Sequence, residues 1–115
     1  MNEVNVLKTT RKFLEYGDRW TKGEYARKTD GDHCSPLNDD AVQWCAIGAI
    51  VYIAGSYPEA NPAIFWLTKQ VKKETTVTQW QDQPEIIHQD ILDLFDKAIT
   101  AAEKAHKEWK KELAR

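Results

Sequence analysis

The feature that most constrains the fold is an apolar stretch in the middle of the chain, Asp40–Ala54. Within it, small and aromatic residues recur at the spacing of an α-helix: Ala41, Trp44, Cys45, Gly48, Ala49 and Tyr52. The opposite side is apolar as well, with Val42, Ala46, Ile50 and Ile53. A helix that is hydrophobic on all sides is a buried one, so the pattern predicts a central core helix. Gly48 carries no Cβ and would let another backbone approach this helix closely.

The composition predicts a single cytoplasmic domain that spans residues 1–115. The net charge of −2 gives the chain no overall attraction to nucleic acid or to an anionic membrane. The apolar stretch is shorter than the roughly 20 residues that a membrane span needs. Cys34 and Cys45 lie in unlike settings, which is not the pattern of a disulfide framework, and Met1–Val4 does not resemble a signal sequence. We therefore expect free thiols and no cofactor.

Other elements are predicted on both sides of the central helix. A first helix covers residues 2–16, and residues 25–35 form a hairpin that turns at Asp30-Gly31 and returns through His33–Pro36. Asn38, Asp39 and Asp40 are expected to cap the central helix. A further helix begins at Pro62, ends near Lys73 and turns Ile64, Leu67 and Val71 inward.

The C-terminal part of the chain is predicted to be a short extended segment followed by a long helix. Residues 75–80 are rich in β-branched side chains, which favours an extended conformation. A final helix runs from about residue 83 to 113, with an inward stripe of Ile87, Ile91, Phe95, Ala98, Ala102, Ala105, Trp109 and Leu113. The resulting fold class is mainly α: a small domain of about four helices around a buried central helix, with a minor hairpin or extended element.

Thiol or metal chemistry has little support in the sequence. A nucleophilic cysteine needs a lowered pKa, whereas Cys45 is predicted to lie inside an apolar helix where burial raises it. His33, Cys34, Cys45 and His88 lack the paired short spacing of structural zinc ligands. Asp30, Asp32, Asp39 and Asp40 do not follow the ligand order of a calcium-binding loop. We therefore predict no metal site.

Phe65 and Trp66 are the best candidates for contact with a partner. On the predicted helix they point away from the inward stripe, on the same side as Lys69, Lys72 and Lys73. They either pack beneath the hairpin or form an exposed aromatic patch ringed by lysines. Aromatic anchors dominate the energetics of protein interfaces. We predict a partner-binding site of Phe65, Trp66, Lys69 and Lys73.

Several motifs of the chain resemble a family of small uncharacterised proteins of bacteria, phages and prophages. The resemblance covers about Trp20 to Ala102. Its marks are Trp20-Thr21-Lys22-Gly23, Asp30-Gly31, Ala41-x-x-Trp44-Cys45-x-x-Gly48-Ala49, Trp80-Gln81-Asp82 and Leu94-Phe95-Asp96-Lys97-Ala98-Ile99. The family usually carries Trp-Asn-Asp where this chain has Trp80-Gln81-Asp82. The resemblance implies a phage or prophage setting and names no reaction.

These observations favour a non-catalytic cytoplasmic protein that binds another protein of unknown identity. By analogy with the resembling family, the target could be a component of a host defence system, and the protein would then act as a phage or prophage accessory factor. The alternative is a small enzyme with a cleft between the 18–36 loop and the Trp80–Asp82 turn. That site would comprise His33, Trp80, Asp82 and His88, with a histidine or Asp82 as acid or base. Binding of nucleic acid would need a continuous basic surface, and a homo-oligomer is left open.

Overall fold

The structure is a computed structural model that describes residues 1–115. It contains five α-helices, one 3₁₀ turn and two antiparallel strands. In chain order these are α1 (Glu3–Leu14), the 3₁₀ turn (Gly17–Arg19), β1 (Ala26–Lys28), β2 (Ala41–Trp44), α2 (Ala46–Ala54), α3 (Tyr57–Thr68), α4 (Val77–Gln81) and α5 (His88–Leu113). The prediction of a mainly α fold with a minor strand element is confirmed. None of the helices combines the length and the hydropathy that crossing a membrane requires.

The core lies where α1 packs against α2, α3 and α5. The largest of its completely buried apolar side chains come from all four of these helices: Leu7, Leu14, Ile50, Leu67, Ile91 and Phe95. Each such side chain contributes about 1.5–3 kcal/mol relative to an exposed one. Asn2 caps α1 by accepting a hydrogen bond from the backbone N–H of Asn5 at 2.9 Å.

The central apolar stretch is a strand followed by a helix, so the prediction of one helix from residue 40 is wrong. Ala41–Trp44 form β2, and α2 begins at Ala46 with Cys45 as its N-cap. Asn38 does not cap a helix; its side chain accepts from the N–H of Asp40 at 2.8 Å in a turn. An apolar run fits a half-buried strand as well as a helix, and pairing with β1 decides between them.

The hairpin is formed with a different return strand from the predicted one. β1 pairs antiparallel with β2, so that Ala26 lies opposite Trp44. The turn at Gly31 is present, with a φ of +89° that suits glycine. The segment His33–Pro36, predicted as the return arm, contributes only one bridge, between His33 and Arg27. Proline has no N–H to donate, which ends the pairing on that side.

The start of β1 crosses directly over the first turn of α2, as the small residues of the stretch predict. A Cβ built on Gly48 would overlap the backbone carbonyl of Tyr25. The same carbonyl accepts a hydrogen bond from the N–H of Cys45 at 3.1 Å. Gly48 therefore sets the distance between the sheet and α2.

The third helix starts earlier than its sequence signals indicate. Ser56 caps it by accepting from the N–H of Glu59 at 3.3 Å, so the predicted start at Pro62 is wrong. Pro62 lies inside the helix, where the lack of an N–H removes one intrahelical hydrogen bond. The helix ends at Thr68, so the predicted end near Lys73 is also wrong. Its buried face consists of Ala60, Ala63 and Leu67, whereas Ile64 is only partly buried and the partly buried Val71 lies in the loop that follows.

The segment 75–80 is helical and not extended. Thr76 accepts from the N–H of Gln79 at 3.0 Å, and the Gln79 side chain accepts from the N–H of Thr76 at 3.2 Å. This reciprocal capping box starts α4, and it overrides the preference of the β-branched residues. α5 then begins at His88, later than predicted.

The stripe of α5 is buried only in its middle. Ile91, Phe95, Ala98 and Ala102 are completely buried, whereas Ile87, Trp109 and Leu113 are 60%, 63% and 66% exposed. α1, which covers the stripe, has 12 residues against the 26 of α5. The last turns of α5 therefore extend beyond the helices that could bury them.

Candidate functional site

A groove beside α3 contains most of the residues predicted to bind a partner. It has a volume of about 690 Å³ and is lined by the end of α3 and the loop that follows. We call it the lysine groove and define it by Ile64, Phe65, Lys69, Val71, Lys72 and Lys73. It brings together Phe65, Lys69 and Lys73 of the predicted site; Trp66 does not line it.

Phe65 and Trp66 have different environments, although they are neighbours in the chain. Phe65 is 52% exposed, whereas Trp66 is half-buried and packs against the core. Their rings meet edge to face, with centroids 5.3 Å apart and an angle of 83° between the planes. This geometry suits the quadrupoles of aromatic rings. Trp66 therefore supports the exposed ring of Phe65 from the core side.

The charge of the lysine groove is entirely positive. Lys69, Lys72 and Lys73 line it, and no carboxylate does. The ammonium group of Lys69 lies 5.0 Å from the centre of the Phe65 ring, within the range of a cation–π interaction. None of the ion pairs in the structure involves these three lysines. The groove thus offers an apolar ring together with cations that have no carboxylate partner within the chain.

The motifs of the family resemblance meet elsewhere, around Gln81. The completely buried side-chain oxygen of Gln81 accepts from the N–H of Ala46 at 3.1 Å and from the indole N–H of Trp20 at 3.3 Å. Its amide nitrogen donates to Asp82 at 3.2 Å, and Asp82 also accepts from the N–H of Gly23 at 3.0 Å. We call these five residues the polar network.

The polar network holds the 20–28 loop and α4 against the start of α2. Lys22 continues the contact, since its ammonium group donates to the carbonyl of Gln83 at 2.7 Å. Arg27 ties the loop to itself by donating to Thr21 at 3.0 Å and to the carbonyl of Lys22 at 3.0 Å. No buried side-chain nitrogen or oxygen in the structure lacks a partner. The network is therefore satisfied from within the chain.

The four residues of the alternative site are placed in different surroundings. His33 is exposed beside Arg27, and Asp82 belongs to the polar network. The Nε2 atom of His88 lies 2.5 Å from the carbonyl of Leu14, which requires that nitrogen to carry the proton. Trp80 lines two surface depressions, of about 500 Å³ and 180 Å³, and none of the other three residues lines either of them.

Cys45 combines a capping role with deep burial. Its Sγ accepts from the N–H of Gly48 at 3.3 Å at the start of α2. Burial raises the pKa of the Cys45 thiol to about 11, although hydrogen bonds from the backbone oppose the shift. A thiol with a raised pKa is a poor nucleophile near neutral pH. Cys34 is also free and is half-buried.

The acidic residues near the hairpin do not gather into a metal centre. Asp30, Asp39 and Asp40 line a shallow depression together with Lys28. No group of three or more histidine, cysteine, aspartate or glutamate side chains in the structure is arranged to hold a metal ion.

The sequence reasoning misses two groups of residues that the structure makes prominent. Gln81, the hub of the polar network, is buried, and only its place in the Trp80-Gln81-Asp82 motif singles it out in the sequence. Ile64 and Val71 are predicted to point inward, yet they line the lysine groove. Val71 lies after the end of α3 at Thr68, in the loop before α4, where the helical periodicity no longer applies.

Comparison with known proteins identifies the family of the chain and no individual relative. The model of a family of unknown function, DUF6197, matches residues 2–101. The chain belongs to this family. No curated protein and no solved structure matches it. The match covers the sheet, the polar network and the lysine groove, and it ends within α5.

Proposed function

We propose that this DUF6197 protein acts by binding another protein through the lysine groove, without catalysing a reaction. The observation that supports this most directly is the ring of Phe65, which is 52% exposed among three lysines that form no ion pair. Interfaces concentrate their binding energy in aromatic residues that enter a desolvated contact. Phe65 is such an anchor in the free protein.

The contacts of Phe65 in the free protein reduce the conformational entropy that its side chain would lose on binding a partner. Its ring is already held by the edge of Trp66 and by the ammonium group of Lys69. A side chain that is ordered before association loses less conformational entropy when it binds. The lysines at the rim favour a partner that carries carboxylates, and they speed the encounter with it.

We propose, as the class of partner to test first, a component of a host defence system. The resemblance to proteins of phages and prophages supports this choice. In this proposal, the protein is a phage or prophage accessory factor. Its lysine groove covers a surface that the host component needs for its own function.

Affinity capture with matched variants tests the proposed function. Wild type, Phe65→Ala and Trp109→Ala are each immobilised and exposed to host lysate, and the retained proteins are identified by mass spectrometry. Trp109 is the control because it is 63% exposed and lies outside the lysine groove. We expect a partner that wild type and Trp109→Ala retain and Phe65→Ala loses.

The captured partner is then purified, and its affinity is measured directly. Phe65→Ala should weaken binding by about 2 kcal/mol, or roughly 30-fold in Kd. Trp109→Ala should bind like wild type. A partner that Phe65→Ala binds as tightly as wild type does would remove the lysine groove as the binding site.

A further inference from the structure

The lysine groove continues along the surface beyond Phe65. It shares Val71, Lys72 and Thr75 with a second depression of about 500 Å³. That depression shares Gln70 and Trp80 with a third one of about 180 Å³, which lies against α5. The three depressions therefore adjoin one another, and we call them together the joined groove. A further depression beyond it shares Gln70 and Lys97 with the third one.

Each part of the joined groove includes apolar side chains, and the third depression is mainly polar. Phe65 and Ile64 lie at the first end, Trp80 and Ile86 in the middle, and Leu94 at the far end. Trp80 is half-buried, so one part of the ring packs against the core and another part faces the groove. A chain segment lying in the groove would therefore bury apolar side chains at several successive points.

The charge changes sign along the joined groove. The first end carries Lys69, Lys72 and Lys73. Past Thr75 the groove is lined by four carboxylates, Glu74 and Glu85 in the second depression and Asp90 and Asp93 in the third. Lys97 is the only cation that the third depression adds. A bound molecule thus meets positive charge first and predominantly negative charge afterwards.

This charge pattern disfavours nucleic acid and favours a polypeptide. A phosphate backbone carries the same negative charge at every step, so the four carboxylates would repel it along most of the groove. A polypeptide can change the sign of its charge within a few residues. Apolar side chains between the two charged parts would meet the floor at Trp80.

We propose that the joined groove binds a segment of another protein that is acidic at one end, apolar in the middle and basic at the other end. The acidic end lies on Lys69, Lys72 and Lys73, and the basic end lies near Asp90 and Asp93. This inference rests on the proposed function, and it adds the chemistry of the partner and the orientation in which the segment lies.

Synthetic peptides test the inference directly. Fluorescein-labelled peptides of about 10 residues, which extend over about 33 Å, carry three glutamates, a Phe-x-x-Leu centre and three lysines. They are made in both chain directions. The control peptide has the same composition with its charges alternated. We expect at least one direction to bind wild type about tenfold or more tightly than the control in fluorescence anisotropy at low salt.

Variants of the lysine end test the orientation. The triple variant Lys69→Glu, Lys72→Glu, Lys73→Glu should lose the preference for the peptide with separated charges. The matched control, Lys107→Glu, Lys110→Glu, Lys111→Glu, changes three exposed lysines of α5 outside the joined groove and should keep it. Thermal melts establish that each variant is folded, and lysine-to-glutamine versions replace any that is not.

The outcomes separate this inference from the proposed function. Equal binding of separated and alternated peptides, or no binding of either, overturns the inference. If Phe65→Ala still loses a captured partner in that case, the proposed function stands without it. Binding of a DNA duplex of about 30 base pairs that the first triple variant abolishes and the control triple variant keeps would also overturn the inference, in favour of nucleic acid.

Discussion

The polar network around Gln81 and the lysine groove beside Phe65 differ in whether their polar groups have partners within the chain. In the polar network, every buried polar side-chain atom has a partner within the chain. In the lysine groove, three ammonium groups form no ion pair and a phenylalanine ring is 52% exposed. The buried polar atoms of the first arrangement are therefore paired within the chain, whereas the ammonium groups of the second one have no carboxylate partner there.

This difference bears on what the family resemblance means. Trp20, Gly23, Gln81 and Asp82 belong to the motifs of the resemblance, and their contacts hold the fold together. Phe65 and Lys69 lie outside those motifs, and they face the solvent. The contacts of these motif residues therefore account for part of the fold, and the proposed binding site lies outside the motifs.

The largest expected effect lies where the sheet meets α2. Gly48→Ala puts a methyl group into the carbonyl of Tyr25, and neither backbone can move without disturbing the pairing of β1 with β2. We expect a loss of about 4 kcal/mol in the free energy of unfolding, measured by urea denaturation. Gly17→Ala is the control, because its new methyl group would lie 3.6 Å from the His88 ring in ordinary contact. Equal stability of the two variants would contradict the close approach.

The next effect concerns the hub of the polar network. Gln81→Leu keeps the volume but leaves the N–H of Ala46 and the indole N–H of Trp20 without an acceptor. We expect about 3 kcal/mol of destabilisation, since each unsatisfied buried donor costs about 1–3 kcal/mol. The exposed Gln89, changed to leucine in the same way, should alter stability by less than about 0.5 kcal/mol. A tolerated Gln81→Leu would show that the network does not stabilise the fold.

Some features of the fold could be predicted from local sequence patterns, whereas others depend on contacts between distant segments. The helical class, β1 and the close approach at Gly48 follow from local patterns of apolar and small residues. The division of the Asp40–Ala54 stretch does not, because Ala41–Trp44 become a strand only through pairing with β1, a tertiary contact. The burial of Gln81 likewise depends on partners from two distant segments of the chain.

The candidate site was predicted in part for a related physical reason. The exposure of Phe65 follows from helical periodicity around Leu67, which holds in the structure. Lys72 and Lys73 are expected on the same helix face, but they lie in the loop after α3, which ends at Thr68. The positions of Ile64 and Val71 do not follow, because packing buries Ala60, Ala63 and Leu67 on α3, and because Val71 lies beyond the end of the helix at Thr68. The start of α3 does not follow either, because Ser56 caps the helix upstream of Asn61-Pro62, and that pair is itself a typical helix-start signal.

The buried thiol of Cys45 should make the free energy of unfolding depend on pH in the alkaline range. The folded-state pKa of Cys45 is raised by burial from 9.0 to about 11, so the folded protein keeps a proton that the unfolded chain loses above about pH 9. Stability from this group is complete below that pH and falls as the pH rises towards 11. By pH 11, wild type should have lost about 2 kcal/mol more than Cys45→Ala loses over the same range.

The control for the thiol is Cys34→Ala, which keeps the Cys45 thiol and should follow the wild-type pH dependence. Lysine and tyrosine side chains also titrate in this range, but they are present in all three proteins and cancel in the differences. Parallel stability curves of wild type and Cys45→Ala between pH 8 and 11 would contradict the burial of the thiol.

The smallest expected effect on stability belongs to the residue with the largest proposed effect on binding. Phe65→Ala should lower the free energy of unfolding by about 1 kcal/mol, because the half-exposed ring still packs edge to face against Trp66. Trp66→Ala should cost about 2 kcal/mol, because part of its indole packs against the core. Thermal and urea denaturation of both variants measure the contrast. A loss for Phe65→Ala as large as that for Trp66→Ala would mean that the ring holds the fold, and the lysine groove would then lose its anchor.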